Sequence, residues 1–184
     1  MARKSKKQPK FDTGRLSLRP YRESDLKALH VLYADAENLR YWSTLANTDV
    51  EQTRKALRWH IAYSPAHYAM WAVEEKKSGR LIGMINYHRR DRRERRVDVG
   101  WLILPKFQGK GLMTEAARAL LRYLIDDLKV HKVEALIRAD NKPSAALAKR
   151  LGFRLEGGPI RDRWLVGNRW HSVMLYGLIA GEER

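Results

Sequence analysis

VDVGWLILPKFQGKGLMTEAA, residues 97–117, passes from one chain pattern to another within a few positions. Residues 97–104 are an apolar run rich in β-branched and aromatic side chains, which predicts a strand. Pro105 ends it, and Gly109 and Gly111 mark a turn. From Leu112 the apolar positions recur at helical spacing through Ala116, Ala119, Leu120, Tyr123, Leu124 and Leu128. A strand, a glycine turn and a helix N-terminus make an anion cradle. Glycines let the backbone approach, free amides point at the anion, and the helix dipole favours negative charge. By itself Gly109-x-Gly111 is a weak signal. It does not fit the dinucleotide fingerprint, because Thr114 stands at the third glycine position, and no Walker lysine follows it.

Composition narrows the classes. A chain of 184 residues is expected to form one domain with a core that needs no staples. The absence of cysteine excludes disulfides, a thiolate nucleophile and zinc–thiolate sites, and the six histidines show no metal spacing, so no metal is expected. No apolar run reaches spanning length and no apolar signal segment opens the chain, so a cytoplasmic protein with no membrane partner is expected. The formal net charge is +16. Arg3, Lys4, Lys6, Lys7 and Lys10 make residues 1–10 an expected disordered basic tail ahead of a domain at 11–184. Residues 89–96 hold six arginines against Asp91 and Glu94. Such a field attracts polyanions, which makes RNA or the ribosome a candidate electrostatic partner. A plain solvated basic surface is the alternative.

Around the central stretch, residues 15–19 turn Leu16 and Leu18 inward in a first strand closed by Pro20. Ser24 can cap a helix through Leu26, Leu29, Leu32 and Tyr33, and residues 37–42 suggest a second short helical piece. Thr48 and Glu51 fit a capping box for a helix that Pro65 ends. Residues 68–74 and 81–88 read as a hairpin around Gly79, which leads through the arginine run into the central strand. Residues 132–139 alternate as a fifth strand; Asn141 and Pro143 start a helix that Gly152 stops. Residues 153–166 and 171–178 flank a Gly167-Asn168 turn. The order predicts an α+β domain with a mixed, mostly antiparallel sheet of about seven strands and helices on both faces. Strands four and five should be parallel neighbours, because the central helix joins them as a crossover.

Gln108-Gly109-Lys110-Gly111-Leu112-Met113-Thr114-Glu115-Ala116 resembles the Q/R-x-x-G-x-G/A signature of the GCN5-related N-acetyltransferase (GNAT) superfamily. NKPSAALAKRLGF, residues 141–153, is similar to that family's N-x-x-S and its helix ending in L-G-F. Asp98-Val99-Gly100-Trp101 resembles its acidic-x-G-aromatic strand, and residues 16–25 resemble its opening. The likeness spans about residues 14–178, and in detail it is greatest to the RimJ/RimL-type ribosomal-protein N-terminal acetyltransferases. Met113 replaces a small residue of the signature at a position where backbone makes the expected contact. The resemblance implies acetyl-CoA as co-substrate, and strands four and five splayed after a bulge. The pantetheine arm then pairs with backbone around Trp101, Leu102 and Ile103. Gln108, Gly109, Lys110, Gly111, Leu112, Met113 and Thr114 are expected around the pyrophosphate, with Lys110 adding charge, and Asn141 on the pantetheine amides.

Direct acetyl transfer to an amine needs an acceptor for the ammonium proton, a donor for the oxyanion and a donor for the leaving thiolate. Asp98, on one face with Gly100 and Leu102, is the candidate base, acting through a water because it is a methylene shorter than glutamate. Its alternative role is an ion pair with a neighbouring arginine, Arg96. Ser144 is the candidate donor to sulfur, with a helix-start hydrogen bond as its alternative. The oxyanion falls to a backbone amide at Leu102 or Ile103. Glu115 suits the helix dipole and reads as structural. Tyr87 and His88 could line the acceptor side, and Trp42 and Trp164 could shape it. The expected acceptor is a protein N-terminal α-amine, which deprotonates more easily than lysine. The alternatives are a small amine such as a polyamine or aminoglycoside, which a basic surface repels unless the cleft is acidic, and a non-catalytic CoA-responsive RNA-binding protein.

Overall fold

The structure, a computed structural model, describes residues 7–182. The described residues build one mixed sheet from β1 (Phe11–Asp12), β2 (Leu16–Pro20), β3 (Ala69–Glu75), β4 (Arg80–Asp91), β5 (Arg96–Ile103), β6 (Lys132–Arg138), β7 (Arg154–Val166) and β8 (Arg169–Ile179). The order across it is β1-β2-β3-β4-β5-β6-β8-β7, and only β5 and β6 run parallel. The expected seven strands are all present, and the short β1 is added to them. It is a two-residue strand that pairs with β2, too short to carry a period-two signal.

Two helix pairs cover the sheet. On one face α1 (Leu26–Tyr33) and α2 (Val50–Ile61) bury Leu29, Leu32 and Leu57 against Met84 and Leu102. On the other, α3 (Leu112–Arg122) and α4 (Lys142–Arg150), with its C-cap Leu151, bury Ala116, Leu120, Leu147 and Leu151 against Ile85, Val97 and Val133. The alternation along β5 sets Asp98, Gly100 and Leu102 toward the first face and Val97, Val99 and Trp101 toward the second.

The feature that makes room for a ligand lies between β5 and β6. They pair only at Arg96–Lys132, Val97–Val133 and Asp98–Glu134, and then part. The β4–β5 register runs unbroken from Gly83–Ile103 to His88–Asp98, so the expected bulge is absent from that pairing. The splay has another cause: β5 stays with β4, whereas β6 is held along its whole length by β8, from Lys132–Ile179 to Arg138–Val173.

Local chemistry corrects several sequence expectations. Residues 37–42 form turns and not a helix. The Asp35 carboxylate accepts the amides of Glu37 and Asn38 at 2.9 and 3.1 Å as a helix-start cap would, but after the bond from Leu39 N to Asp35 O the backbone closes tighter turns, Arg40 N to Glu37 O and Trp42 N to Leu39 O. The cap of α2 is Asp49, which accepts from Gln52 N at 2.8 Å, one residue beyond the expected Thr48. The central helix is α-helical only to Arg122 and continues as a π-helical turn, Tyr123–Asp127. Of the basic segment, residues 1–6 lie outside the described residues. Its end is laid on β3: Gln8 Nε2 donates to Met70 O and Trp71 Nε1 donates to Pro9 O, both at 2.7 Å.

Candidate active site

The glycine turn is built as an anion cradle requires. Gly109 and Gly111 hold φ of 72° and 73°, a region that side chains other than glycine rarely adopt. Gly111 is the N-cap of α3, and Glu115 N donates to Gly111 O at 3.1 Å. The amides of Leu112, Met113 and Thr114 precede that bond and are left for an anion. Arg15, which the sequence did not single out, braces this turn from β2's leading edge. Its Nη1 donates to Lys110 O at 3.0 Å and its Nε to Glu115 Oε2 at 2.7 Å. Glu115 also accepts from Thr13 Oγ1 at 2.6 Å and Arg15 N at 2.8 Å. Burial works against the charge of Glu115, and these hydrogen bonds outweigh it, so its carboxyl stays below the ordinary range. Its role is structural.

Between the turn and the parted strands lies a cleft of about 1090 Å³ that reaches both faces of the sheet. Asp98, Trp101, Leu102, Ile103, Gln108, Gly109, Gly111, Leu112, Met113, Thr114, Asn141 and Ser144 all line it. Lys110 does not: its side chain is exposed, with Nζ 5.5 Å from the Phe107 ring centroid. Gln108 donates from Nε2 to Ile103 O at 3.1 Å, tying the turn to the end of β5. Past Asp98 and Glu134 the pairing of β5 with β6 ends, and the backbone of Trp101, Leu102 and Ile103 borders the gap. An unpaired strand edge beside unpaired helix-start amides fits an extended amide-bearing arm that ends in phosphate.

The two candidate catalytic side chains approach the gap from opposite faces. Asp98 is buried. Burial raises its carboxyl above the ordinary range, Arg89 opposes that, and Glu134 adds to it. Its partners are Arg89 Nη1 at 3.5 Å and His88 Nε2 at 4.0 Å. Arg96, the expected partner, instead donates to Glu134 at 2.8 Å. Ser144 opens α4. Asn141 Oδ1 accepts from Ser144 N at 3.1 Å, so the cap is made by Asn141 and not by the serine hydroxyl. Ser144 Oγ accepts from Trp101 Nε1 at 3.3 Å, which leaves the hydroxyl proton free to be donated.

On the Asp98 side the cleft is walled by Tyr33, Trp42, Trp59, Asn86, His88 and Trp164. Burial, with Arg89 beside it, lowers His88 to about 4, so the ring is neutral at pH 7. Tyr87 belongs to the opposite face, fully buried, with its hydroxyl donating to Pro65 O at 3.2 Å. His171 lies outside the cleft. Asn86, like Arg15, is a residue that sequence reasoning missed, and its signal was a lone amide in the apolar run of residues 81–87.

Residues 15–154 match the family described as acetyltransferase (GNAT) domain. Over 104 residues the chain is 36% identical to YdaF of Bacillus subtilis (strain 168), named a ribosomal N-acetyltransferase, with 56% of each chain covered. Over 120 residues it is 32% identical to the ribosomal protein uS5-alanine N-acetyltransferase of Escherichia coli (strain K12), covering 65% of this chain and 60% of that one. The chain thus spans between half and two thirds of the length of these two relatives. The structure of spermidine N-acetyltransferase from Vibrio cholerae, in complex with CoA and spermine, has a TM-score of 0.79 at 22% identity, covering 92% of this chain and 98% of that one.

Proposed function

The chain belongs to the GNAT acetyltransferase family, and on that premise we propose that it moves the acetyl group of acetyl-CoA to the α-amine of a protein N-terminus. The observation that carries the reading is the cleft through the sheet, with a buried carboxylate on one side of the gap and a hydroxyl with a free proton on the other.

Acetyl-CoA supplies an acetyl thioester. Backbone of Trp101 to Ile103 and the Asn141 side-chain N–H groups hold the pantetheine arm, and the amides from Gly109 to Thr114 hold the pyrophosphate. Asp98 takes the first proton from the substrate ammonium, directly or through one water. The freed nitrogen attacks the acetyl carbon; the new C–N bond forms as the C–S bond breaks. An amide at Leu102 or Ile103 carries the oxygen's charge. The surplus proton on nitrogen leaves with the sulfur, to which Ser144 donates a hydrogen bond.

The charge of the cleft favours a peptide over a polyamine. Among its described lining residues the acids are Glu37 and Asp98, set against Arg40, Arg89, Arg138 and Arg150. A polycation finds no acidic wall there. The basic run offers less to RNA than its composition implies. Arg89 is engaged with Asp98, Arg90 donates to Pro65 O and Leu128 O, Arg95 to Lys129 O, and Arg96 to Glu134. Arg93 Nε lies 3.8 Å from Glu94 Oε1, so a ribosome contact is left to Arg92 and the rest of the basic surface. Acetyl-CoA consumption across N-terminal peptides, spermidine and an aminoglycoside tests the reading. Peptides should be consumed fastest, with mass spectrometry placing acetyl on the α-nitrogen. Faster turnover of spermidine than of any peptide overturns it.

A further inference from the structure

Asn86 lies on β4 opposite Gly100 of β5, on the same face as Asp98. It is 4% exposed, and its Oδ1 has no hydrogen-bond partner. A buried acceptor left unmatched costs stability, so its retention calls for a partner that arrives from outside. The oxygen hangs over Gly100: a Cβ there would stand 2.7 Å from it. Trp42 closes over the same spot, with Cη2 3.6 Å from that Cβ position. Two residues along, His88 pairs in register with Asp98, and its Nδ1 is likewise without a partner. The patch is thus rich in hydrogen-bond acceptors, beside the backbone of Trp101 and Leu102 where the acetyl group is to be held.

We propose that Asn86 seats the acceptor amine, its Oδ1 taking one N–H of the substrate nitrogen over Gly100 while the Asp98 carboxylate takes another. An ammonium is all donor, so the nitrogen must be met by acceptors, and Asn86 supplies one that carries no charge. Trp42, in the turn-rich connection between α1 and α2, forms the roof of this seat. Gly100 is glycine because any side chain would push Asn86 out of reach. The proposal rests on the acetyl-transfer reading of the previous section, and not on which amine is the natural acceptor.

The test uses the full chain with glycinamide, a small α-amine that carries no carboxylate, as the acceptor probe. Asn86→Leu should lower kcat/KM for glycinamide about ten- to a hundredfold, the range for a lost hydrogen bond to a charged group. It should leave the dissociation constant for CoA within twofold and raise the melting temperature, because an unmatched buried oxygen is replaced by apolar atoms. Gly100→Ala should lose glycinamide turnover in the same way. Unchanged kcat/KM in Asn86→Leu, or loss of turnover together with CoA binding or melting temperature, overturns the proposal, as does a wild type that leaves glycinamide untouched. If the wild type acetylates glycinamide but no N-terminal peptide, the protein-terminus reading falls and the seat stands.

Discussion

At the scale of single residues, Asp98 and Ser144 separate two kinds of contribution. The Asp98 carboxyl is buried, and its folded value lies above that of an unfolded chain. A group raised in this way favours the folded state when protonated and costs stability once pH rises through its folded value. Asp98→Asn should therefore raise the melting temperature at neutral pH while lowering kcat/KM about a hundredfold or more, the usual weight of a general base. The pH profile gives the second check. Wild-type kcat/KM should fall as pH drops through the raised Asp98 value, under the combined influence of Arg89, Glu134, Arg96 and His88, and that limb should vanish in the variant. In the proposed mechanism Ser144 acts later, on the leaving sulfur. Ser144→Ala should lower kcat about tenfold with the KM for the amine held, because the hydrogen bond lost is one to a developing charge. A parallel rise in that KM would assign the hydroxyl to substrate binding.

At the scale of elements, the glycine turn depends on a brace from the far end of the chain. Glu115 joins α3 to the turn before β2 through Thr13 Oγ1, Arg15 N and Arg15 Nε. Glu115→Ala should cost about 2 kcal/mol in a urea titration, the scale of charge-assisted hydrogen bonds partly open to water. It should weaken CoA binding several-fold while leaving kcat at saturating acetyl-CoA near the wild-type value. The brace also marks the limit of what the sequence discloses. Strand, turn and α3 were readable because their signals are local: an apolar run, Pro105, two glycines, then a helical period. Asn141 and Gly152 bound α4 for the same reason. Residues 37–42 form turns where their pattern suggests a helix, because the one capped turn at Asp35 is followed by three-residue bonds, Arg40 N to Glu37 O and Trp42 N to Leu39 O, and not by a helical ladder. Arg15 and Asn86 reach the site through register between strands, and an arginine ahead of a strand or a lone amide in an apolar run gives no sign of which neighbour it will face. Trp42, read as shaping the acceptor side, is brought there by a loop folded back over the sheet. The parted β5 and β6 followed from the family resemblance, but their cause did not: it is the full-length hold of β8 on β6.

At the scale of the molecule, the two helix pairs give the two faces different responses to acid. The face under α1 and α2 buries His60, whose Nε2 lies 2.7 Å from Tyr33 Oη and whose ring packs 4.9 Å from that of Tyr21. With Nδ1 unmatched and no charged partner among the hydrogen bonds of its ring, burial lowers this histidine from 6.5 to about 4. The unfolded chain takes up a proton near pH 6.5, while the folded chain resists it until about 4. Stability is thus full at neutral pH and drains as pH falls through that window, by about 3 kcal/mol when complete. The face under α3 and α4 has no buried histidine among its described core residues. Urea titrations at pH 7.5 and 4.5 should therefore show a loss that His60→Gln reduces, since the amide keeps a hydrogen bond to Tyr33 without gaining charge. Because α1 and α2 wall the Asp98 side of the cleft through Tyr33 and Trp59, that acid loss should open the amine side first. Hydrogen exchange at pH 4.5 should rise in α1 and α2 before α3 and α4. Uniform exchange across both helix pairs would mean that the faces unfold as one unit.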